Sequence, residues 1–232
     1  MGRTIAIGDI HGCDAALAAI VAAVAPTADD TLVVLGDFVD RGPNTRGVID
    51  QLLALSQRCR LETLLGNHEE MLLLARDDEL ELRAWLQFGG RETLASYQAS
   101  EPTGLPDEHL QFIAHARQFF ETKTHLFLHA SYDAHKHPSE FSPHVLRWES
   151  LWERIPPPHN SGKHVIVGHT ALQEGEVFHL GYLTCIDTYC HGGGWLTALE
   201  PTTGQVWQAD RHGTLREEPP QLDVADQPPG AT

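Results

Sequence analysis

Hydrophobic and polar positions in the first 70 residues repeat one arrangement three times: a short aliphatic run, a polar cluster of Gly, Asp, Asn and His, then apolar residues at helical spacing. Thr4 to Ile7 leads into Gly8-Asp9-Ile10-His11-Gly12, after which Leu17, Ile20, Val21 and Val24 recur at i, i+3, i+4 and i+7 until Pro26 halts the helix. Thr31 to Leu35 feeds Gly36-Asp37-Phe38-Val39-Asp40-Arg41-Gly42, followed by Val48, Ile49, Leu52, Leu53 and Leu55 at helical spacing. Leu61 to Leu65 ends at Gly66-Asn67-His68-Glu69. Strand, loop and helix in repeated order predict an α/β fold around a mostly parallel sheet. Functional loops of such sheets gather beyond the carboxyl ends of the strands, so the three polar clusters are expected to converge.

Residues 68–121 read as a helical insert beside the sheet, with helices predicted from Glu69 to Ala75, Leu80 to Phe88, Arg91 to Tyr97 and Pro106 to Phe120. Gly89-Gly90 and Pro102-Thr103-Gly104 break it, the first as a helix junction. Strands resume at Thr124 to Leu128, Lys163 to Val167, Tyr182 to Ile186, Trp195 to Glu200 and Val206 to Ala209. From Asp187 onward, Gly-rich turns without helical period predict antiparallel hairpins and, with them, a second sheet. One domain is expected over residues 1–215. Residues 216–232 form an expected loose tail, since from Glu217 they carry four Pro and only Leu222 and Val224 as large apolar residues.

Composition narrows the function. With 232 residues, 41% hydrophobic and 21% charged, the chain is an ordinary globular one. Its 32 acidic against 16 basic residues leave a formal charge of −16, which repels nucleic acid and anionic lipid as partners. Bound cations would offset part of that charge, and 15 His are a generous supply of imidazole ligands. Cys13, Cys59, Cys185 and Cys190 are scattered without a CxxC pair, and the N-terminus lacks the charge and apolar length of a signal peptide. A cytoplasmic location is the expectation. No apolar run approaches the ~18 residues of a membrane span.

Five clusters each close an apolar strand: Asp9/His11, Asp37/Asp40/Arg41, Asn67/His68, His129 and His169. A single such cluster would read as a strand-end turn, but five together point to a metal centre. Asp9 and His11, two residues apart, face the same way on extended backbone and can enter one coordination sphere. Asp37 adds a carboxylate able to bridge two cations. Asn67, His129 and His169 supply neutral O and N donors, a mixed set that suits Mn, Fe or Zn better than Ca or Mg. No Cys lies in these loops, which argues against a structural zinc.

Gly8-Asp9-Ile10-His11-Gly12, Gly36-Asp37-Phe38-Val39-Asp40-Arg41-Gly42 and Gly66-Asn67-His68-Glu69 resemble the GDxHG, GDxVDRG and GNHE signatures of the phosphoprotein phosphatase (PPP) metallophosphoesterases. Leu128-His129-Ala130, Val167-Gly168-His169-Thr170 and the stretch from Ile186-Asp187-Thr188 to Thr197 resemble the later motifs of that family, so the similarity runs from Thr4 to about Ala209. The resemblance implies a β-sandwich flanked by helices, in the layer order α/β/β/α. It implies Asp9 and His11 on one divalent metal ion, Asp37 bridging, and Asn67, His129 and His169 on a second, with Mn as the expected metal. It further implies His68 as general acid, Asp40 as its carboxylate partner and Arg41 as a phosphate clamp. Leu151-Trp152-Glu153-Arg154 fits the context of the second clamp arginine, which makes Arg154 the expected residue and Arg147 its rival.

The reaction so implied is hydrolysis of a phosphate monoester by direct attack of a hydroxide shared between two cations, without a phosphoenzyme. The Trp85 to Tyr97 segment resembles small serine/threonine protein phosphatases, which makes phosphoserine, phosphothreonine and possible phosphotyrosine in a phosphoprotein the expected substrate. A symmetrical dinucleoside tetraphosphatase is the alternative. A non-catalytic metal-binding or scaffold protein is the third, disfavoured because metal binding requires neither Asp40, Arg41 nor His68. Elsewhere His191 reads as a turn cap, His135 and His137 as solvated loop residues, Cys13 as buried at a helix start, and Trp85, Phe88 and Tyr97 as packing.

Overall fold

The computed structural model describes residues 2–223. The three repeats form β1 (Thr4–Ile7), α1 (Asp14–Val24), β2 (Thr31–Val34), α2 (Thr45–Ser56), β3 (Arg60–Thr63) and α3 (Asn67–Ala75), with β1, β2 and β3 in parallel register. α4 (Glu79–Trp85), α5 (Arg91–Tyr97) and α6 (Asp107–Ala114) complete the helical region. β4 (Phe120–Glu121), β5 (His125–Phe127), α7 (Pro143–Arg147), β6 (His164–Val167), β7 (Phe178–His179), β8 (Leu183–Cys185), β9 (Leu196–Glu200) and β10 (Gln205–Ala209) follow.

Two five-stranded sheets stack, in the orders β10-β9-β1-β2-β3 and β4-β5-β6-β8-β7. Strand alternation explains the layers. Ile5 and Ile7 of β1 face α1 and α2, where they meet Leu17, Ile20, Ile49 and Leu52, while Ala6, one residue out of phase, faces the other sheet beside Val33, Phe127 and Ile166. Leu126, Val165, Val167 and Leu183 turn outward under a cover that includes Tyr132, Phe141 and Leu146. This is the α/β/β/α layering, with a fourth layer made of α7 and irregular segments. Helices α3 to α6 share the apolar cluster of α1 and α2, through Leu72, Trp85, Leu94 and Ile113.

Two expectations change. The Gly-rich hairpin after Asp187 does form, as β9 and β10, but β9 pairs antiparallel with β1 and so extends the first sheet. Its residues from Leu196 to Leu199 are buried on both faces, which requires a position inside a sandwich. The second sheet comes from residues 120–185, with β5, β6 and β8 parallel and the short edge strands β4 and β7 antiparallel. The last predicted helix also stops at Ala114, because Arg117 pairs with the end of β3 (its amide donates to Thr63 O, its carbonyl accepts from Leu65 N) and Phe120 pairs with Phe127. Of the tail, Leu222 donates its amide to Gly204 O and packs on the intersheet cluster. Residues 224–232 lie outside the described residues.

Candidate active site

Five of the six metal-competent side chains sit just past the ends of β1, β2, β5 and β6, Asp9 and His11 both following β1, and Asn67 opens α3 after β3. The loops that carry them are tightly wound. His11, Asp37, Asp40, Arg41 and His169 all have positive φ, between 44° and 68°, a conformation that non-glycine residues adopt at a cost of about 1–3 kcal/mol each. Gly36 has φ +104°, and a Cβ there would stand 2.7 Å from His129 Nδ1. Gly168 lets Asp9 approach, since a Cβ would fall 2.1 Å from its carboxylate.

Hydrogen bonds behind the rings fix which nitrogen faces the cluster. His11 Nδ1 is 2.9 Å from Val39 O, His129 Nδ1 is 2.8 Å from Leu35 O, and His169 Nε2 is 3.1 Å from Trp148 O. A carbonyl accepts only, so each of these nitrogens carries hydrogen and the other is a lone pair in the neutral ring. Those lone pairs meet other acceptors: His129 Nε2 and His169 Nδ1 stand 3.1 and 3.0 Å from Asn67 Oδ1, and His129 Nε2 stands 3.4 Å from Asp37 Oδ1. His11 Nε2 stands 3.6 Å from Asp37 Oδ2. Acceptors at such separations fit donors ~2.0–2.2 Å from a common transition-metal cation. The donor set therefore fits metal. Two groups emerge, one of Asp37, His129 and His169, the other of His11, Asp37 and His68. Asp9 joins the cluster by accepting the His169 amide on both oxygens at 3.1 Å.

The electrostatics agree. Burial raises Asp9 well above the usual carboxylate range, with repulsion from Asp187 and Asp37 adding to it. Asp37 is equally buried, yet the imidazoles around it, His129 foremost, hold it well below that range. Burial pushes His11 and His129 down, and His169 to about 4. Asp187, close by, is pushed up to about 7, mainly by burial. So many buried acids and neutral imidazoles in one place make a strong site for a cation.

His68 is oriented differently from the ligands. Its Nδ1 lies 2.8 Å from Asp40 Oδ2, and its Nε2 is buried without a hydrogen-bond partner, 4.0 Å from Asp37 Oδ2. Arg41 reaches the same cluster, its Nη1 3.3 Å from His11 Nε2, and lines a mouth of about 650 Å³ together with Phe88, Arg91 and His191. The structure does not bring Arg154 there: it pairs with Glu149 at 2.6 Å and donates to Tyr132 O at 3.1 Å. Arg147 is buried in contacts with Gln118 and Glu70.

The family model that matches residues 2–197 is that of the calcineurin-like phosphoesterases. The chain belongs to that family. Calcineurin-like phosphoesterases use divalent metals, in keeping with the donor set above. Among relatives, the chain is 31% identical over 201 residues to serine/threonine-protein phosphatase 1 of Salmonella typhimurium, covering 82% of this chain and 88% of that protein. It is 34% identical over 130 residues to the symmetrical bis(5'-nucleosyl)-tetraphosphatase of Janthinobacterium sp., covering 55% of this chain and 43% of that one. The fold matches a cold-active protein-tyrosine phosphatase of a psychrophile Shewanella sp. with a TM-score of 0.69 at 16% identity, over 93% of this chain and 80% of that one. A metallophosphoesterase from Sphaerobacter thermophilus matches with a TM-score of 0.55 at 18% identity, over 93% and 88% of the two chains.

Several residues of this calcineurin-like phosphoesterase take parts that the sequence did not assign. Glu69 accepts four backbone amides, from Asp37, Phe38, Val39 and Gly66, and so locks the second and third loops together. Only its place in the GNHE motif hinted at this. Trp85, expected to be packing, donates its indole N–H to Asp40 at 2.8 Å, and Thr93 donates to the other Asp40 oxygen at 2.7 Å. Phe88 is 53% exposed at the mouth rather than packed, whereas Tyr97 is buried with its hydroxyl 2.8 Å from His109 Nδ1. His191 does lie in a tight turn, but its ring also sits edge-on to His11 at 4.7 Å. His135 and His137 are exposed, and Cys13 is buried ahead of α1, as expected.

Proposed function

We propose that this metallophosphoesterase hydrolyses phosphate monoesters on phosphoserine and phosphothreonine, and to some extent phosphotyrosine, of cytoplasmic phosphoproteins. One observation carries the catalytic part: the unpartnered His68 Nε2, aimed at the cluster while Asp40 holds Nδ1. Asp40 fixes the ring and favours a proton on it, which leaves Nε2 as the nitrogen free to meet a substrate oxygen. The relative that aligns over most of both chains, named as a serine/threonine-protein phosphatase, supports the substrate class.

Asp9, His11 and Asp37 would hold one divalent ion and Asp37, Asn67, His129 and His169 another, with Mn the favoured metal. Two such ions supply Lewis acidity, activating water near neutral pH and offsetting charge on the phosphoryl oxygens. Arg41 binds a non-bridging oxygen and orients the phosphoryl group. His68, its ring held by Asp40, carries a proton on Nε2 and passes it to the departing serine or threonine oxygen. The Glu69 carboxylate keeps the loops of Asp37 and Asn67 in register throughout.

The 34% identity to a symmetrical tetraphosphatase supports a second reading, hydrolysis of a dinucleoside tetraphosphate. Initial rates with Mn on a phosphoserine peptide, a phosphotyrosine peptide and diadenosine tetraphosphate separate the two. The expected order places the phosphoserine peptide first. A tetraphosphate preferred by orders of magnitude would assign the chain to the second reading.

A further inference from the structure

Glu70 follows the GNHE-like motif and has no part in the roles above, yet its carboxylate ties α3 to the end of α7. Oε1 accepts from Arg147 Nη2 and Oε2 from Trp148 Nε1, both at 2.6 Å. The Trp148 carbonyl in turn accepts from His169 Nε2 at 3.1 Å, and His169 Nδ1 stands 3.0 Å from Asn67 Oδ1. Asn67 and Glu70 both belong to α3, so the chain of contacts closes into a ring: Asn67, Glu70, Trp148, His169 and back to Asn67.

The ring also reaches the third ligand. α7, which ends at Arg147, accepts the Ala130 amide on Leu146 O at 3.1 Å and the Ser131 amide on Val145 O at 3.0 Å, immediately after His129. The segment from Val145 to Trp148 is thus fastened to the His129 loop by backbone and to His169 by the Trp148 carbonyl. Both of its side-chain hydrogen bonds to the helix carrying Asn67, from Arg147 Nη2 and Trp148 Nε1, end on Glu70.

We propose that Glu70 is a positioning residue for one half of the metal centre, setting Asn67, His129 and His169 at their common point by fixing the Trp148 carbonyl against α3. A carboxylate suits the place because it accepts from a guanidinium and an indole at once, each oxygen taking one donor. Glutamine would meet one of those donors with its own NH₂ group. The other half of the centre meets this ring through backbone alone, the His169 amide donating to both Asp9 oxygens at 3.1 Å, while His11 is set by Val39 O. The Trp148 carbonyl holds the His169 ring, not its amide, so Glu70 acts first on the site of Asn67, His129 and His169 and far less on its neighbour.

The inference rests on Asn67, His129 and His169 being ligands of one cation, and the test separates the two ideas. Metal-free wild type and Glu70→Gln are titrated with Mn²⁺ by calorimetry, and the loaded proteins are compared by electron paramagnetic resonance. Wild type is expected to take two Mn²⁺ and give an exchange-coupled signal. Glu70→Gln is expected to weaken one site about 10- to 100-fold, leave the other within about twofold, and show an isolated Mn²⁺ signal at one equivalent. If wild type takes fewer than two ions, the dinuclear reading fails. If wild type takes two and Glu70→Gln keeps both affinities, or loses both equally, the positioning role is overturned. Should Glu70→Gln not fold, Trp148→Phe removes the indole donor alone, and the same selective loss or its absence decides.

Discussion

The Trp85 indole donates to Asp40 Oδ2 over 2.8 Å, the same oxygen that lies 2.8 Å from His68 Nδ1. Helix α4 thereby reaches from the helical region into the proposed proton-transfer pair, and Asp40, fully buried, is held from three sides by His68, Trp85 and Thr93. Burial raises the Asp40 carboxyl above the usual range despite those three partners. Trp85→Phe keeps the ring and deletes the donor. A hydrogen bond to a charged group is worth ~1.5–3 kcal/mol, so kcat on a phosphoserine peptide should fall by roughly tenfold or more. Metal content, measured by elemental analysis, should not change.

His68→Asn removes the proposed proton donor. A serine alkoxide needs that proton, whereas a nitrophenolate leaves readily without it, so kcat should drop ~10² to 10⁴ on phosphoserine and distinctly less on an activated aryl phosphate. Parallel kinetics on both substrates, with metal analysis, check this. Equal losses, or a metal-depleted protein, would point to a ligand or structural role.

Asp37 sits within 3.4 to 4.0 Å of ring nitrogens of His129, His11 and His68. Asp37→Asn takes away the anionic charge that lets two cations approach each other, so at least one should be lost. Elemental analysis and turnover are the measurements, and two retained ions with normal turnover would contradict a bridging Asp37. Chelation of the wild type should abolish activity, and Mn should restore it best.

Arg41 and Arg154 differ in what holds them. Arg41 stands beside the His11 ring at the mouth, while Arg154 would have to leave Glu149 and Tyr132 O to reach a phosphate. Arg41→Ala should raise KM and lower kcat together, since a guanidinium meets phosphate in both ground and transition states. Arg154→Ala should change each by no more than a few fold. A loss as large as that of Arg41→Ala would show that Arg154 swings in on substrate binding.

Away from the site, Asp30 accepts from Arg3 N, Arg3 Nη2, Thr27 N and Thr27 Oγ1, which holds its carboxyl well below the usual range, Arg3 being the main cause. A lowered folded pKa gives stabilisation that is complete above the unfolded value of ~3.9 and fades as pH falls toward the folded one. Asp30→Asn should cost ~1–3 kcal/mol at pH 7, and its gap to wild type should narrow steadily below pH ~4. Urea unfolding of both proteins across that range tests the sign.

The sequence alone determined the three strand-loop-helix units and the ligand candidates, because both follow from local patterns. Alternation and helical spacing mark which face of β1 or α2 is apolar, and the polar clusters fall where each apolar run stops. Tertiary structure alone decided where β9 would pair, since a strand buried on both faces fits either sheet by pattern. It also decided the parts played by Glu69, Glu70 and Trp85. Apart from Gly66, their partners lie 30 to 78 residues away, and a carboxylate that accepts four amides looks, in sequence, like any glutamate in the first turn of a helix. The two candidate clamp arginines show the same limit: Arg147 and Arg154 stand seven residues apart in similar contexts, and only the positions of Glu70 and Glu149 in space determine what each one holds.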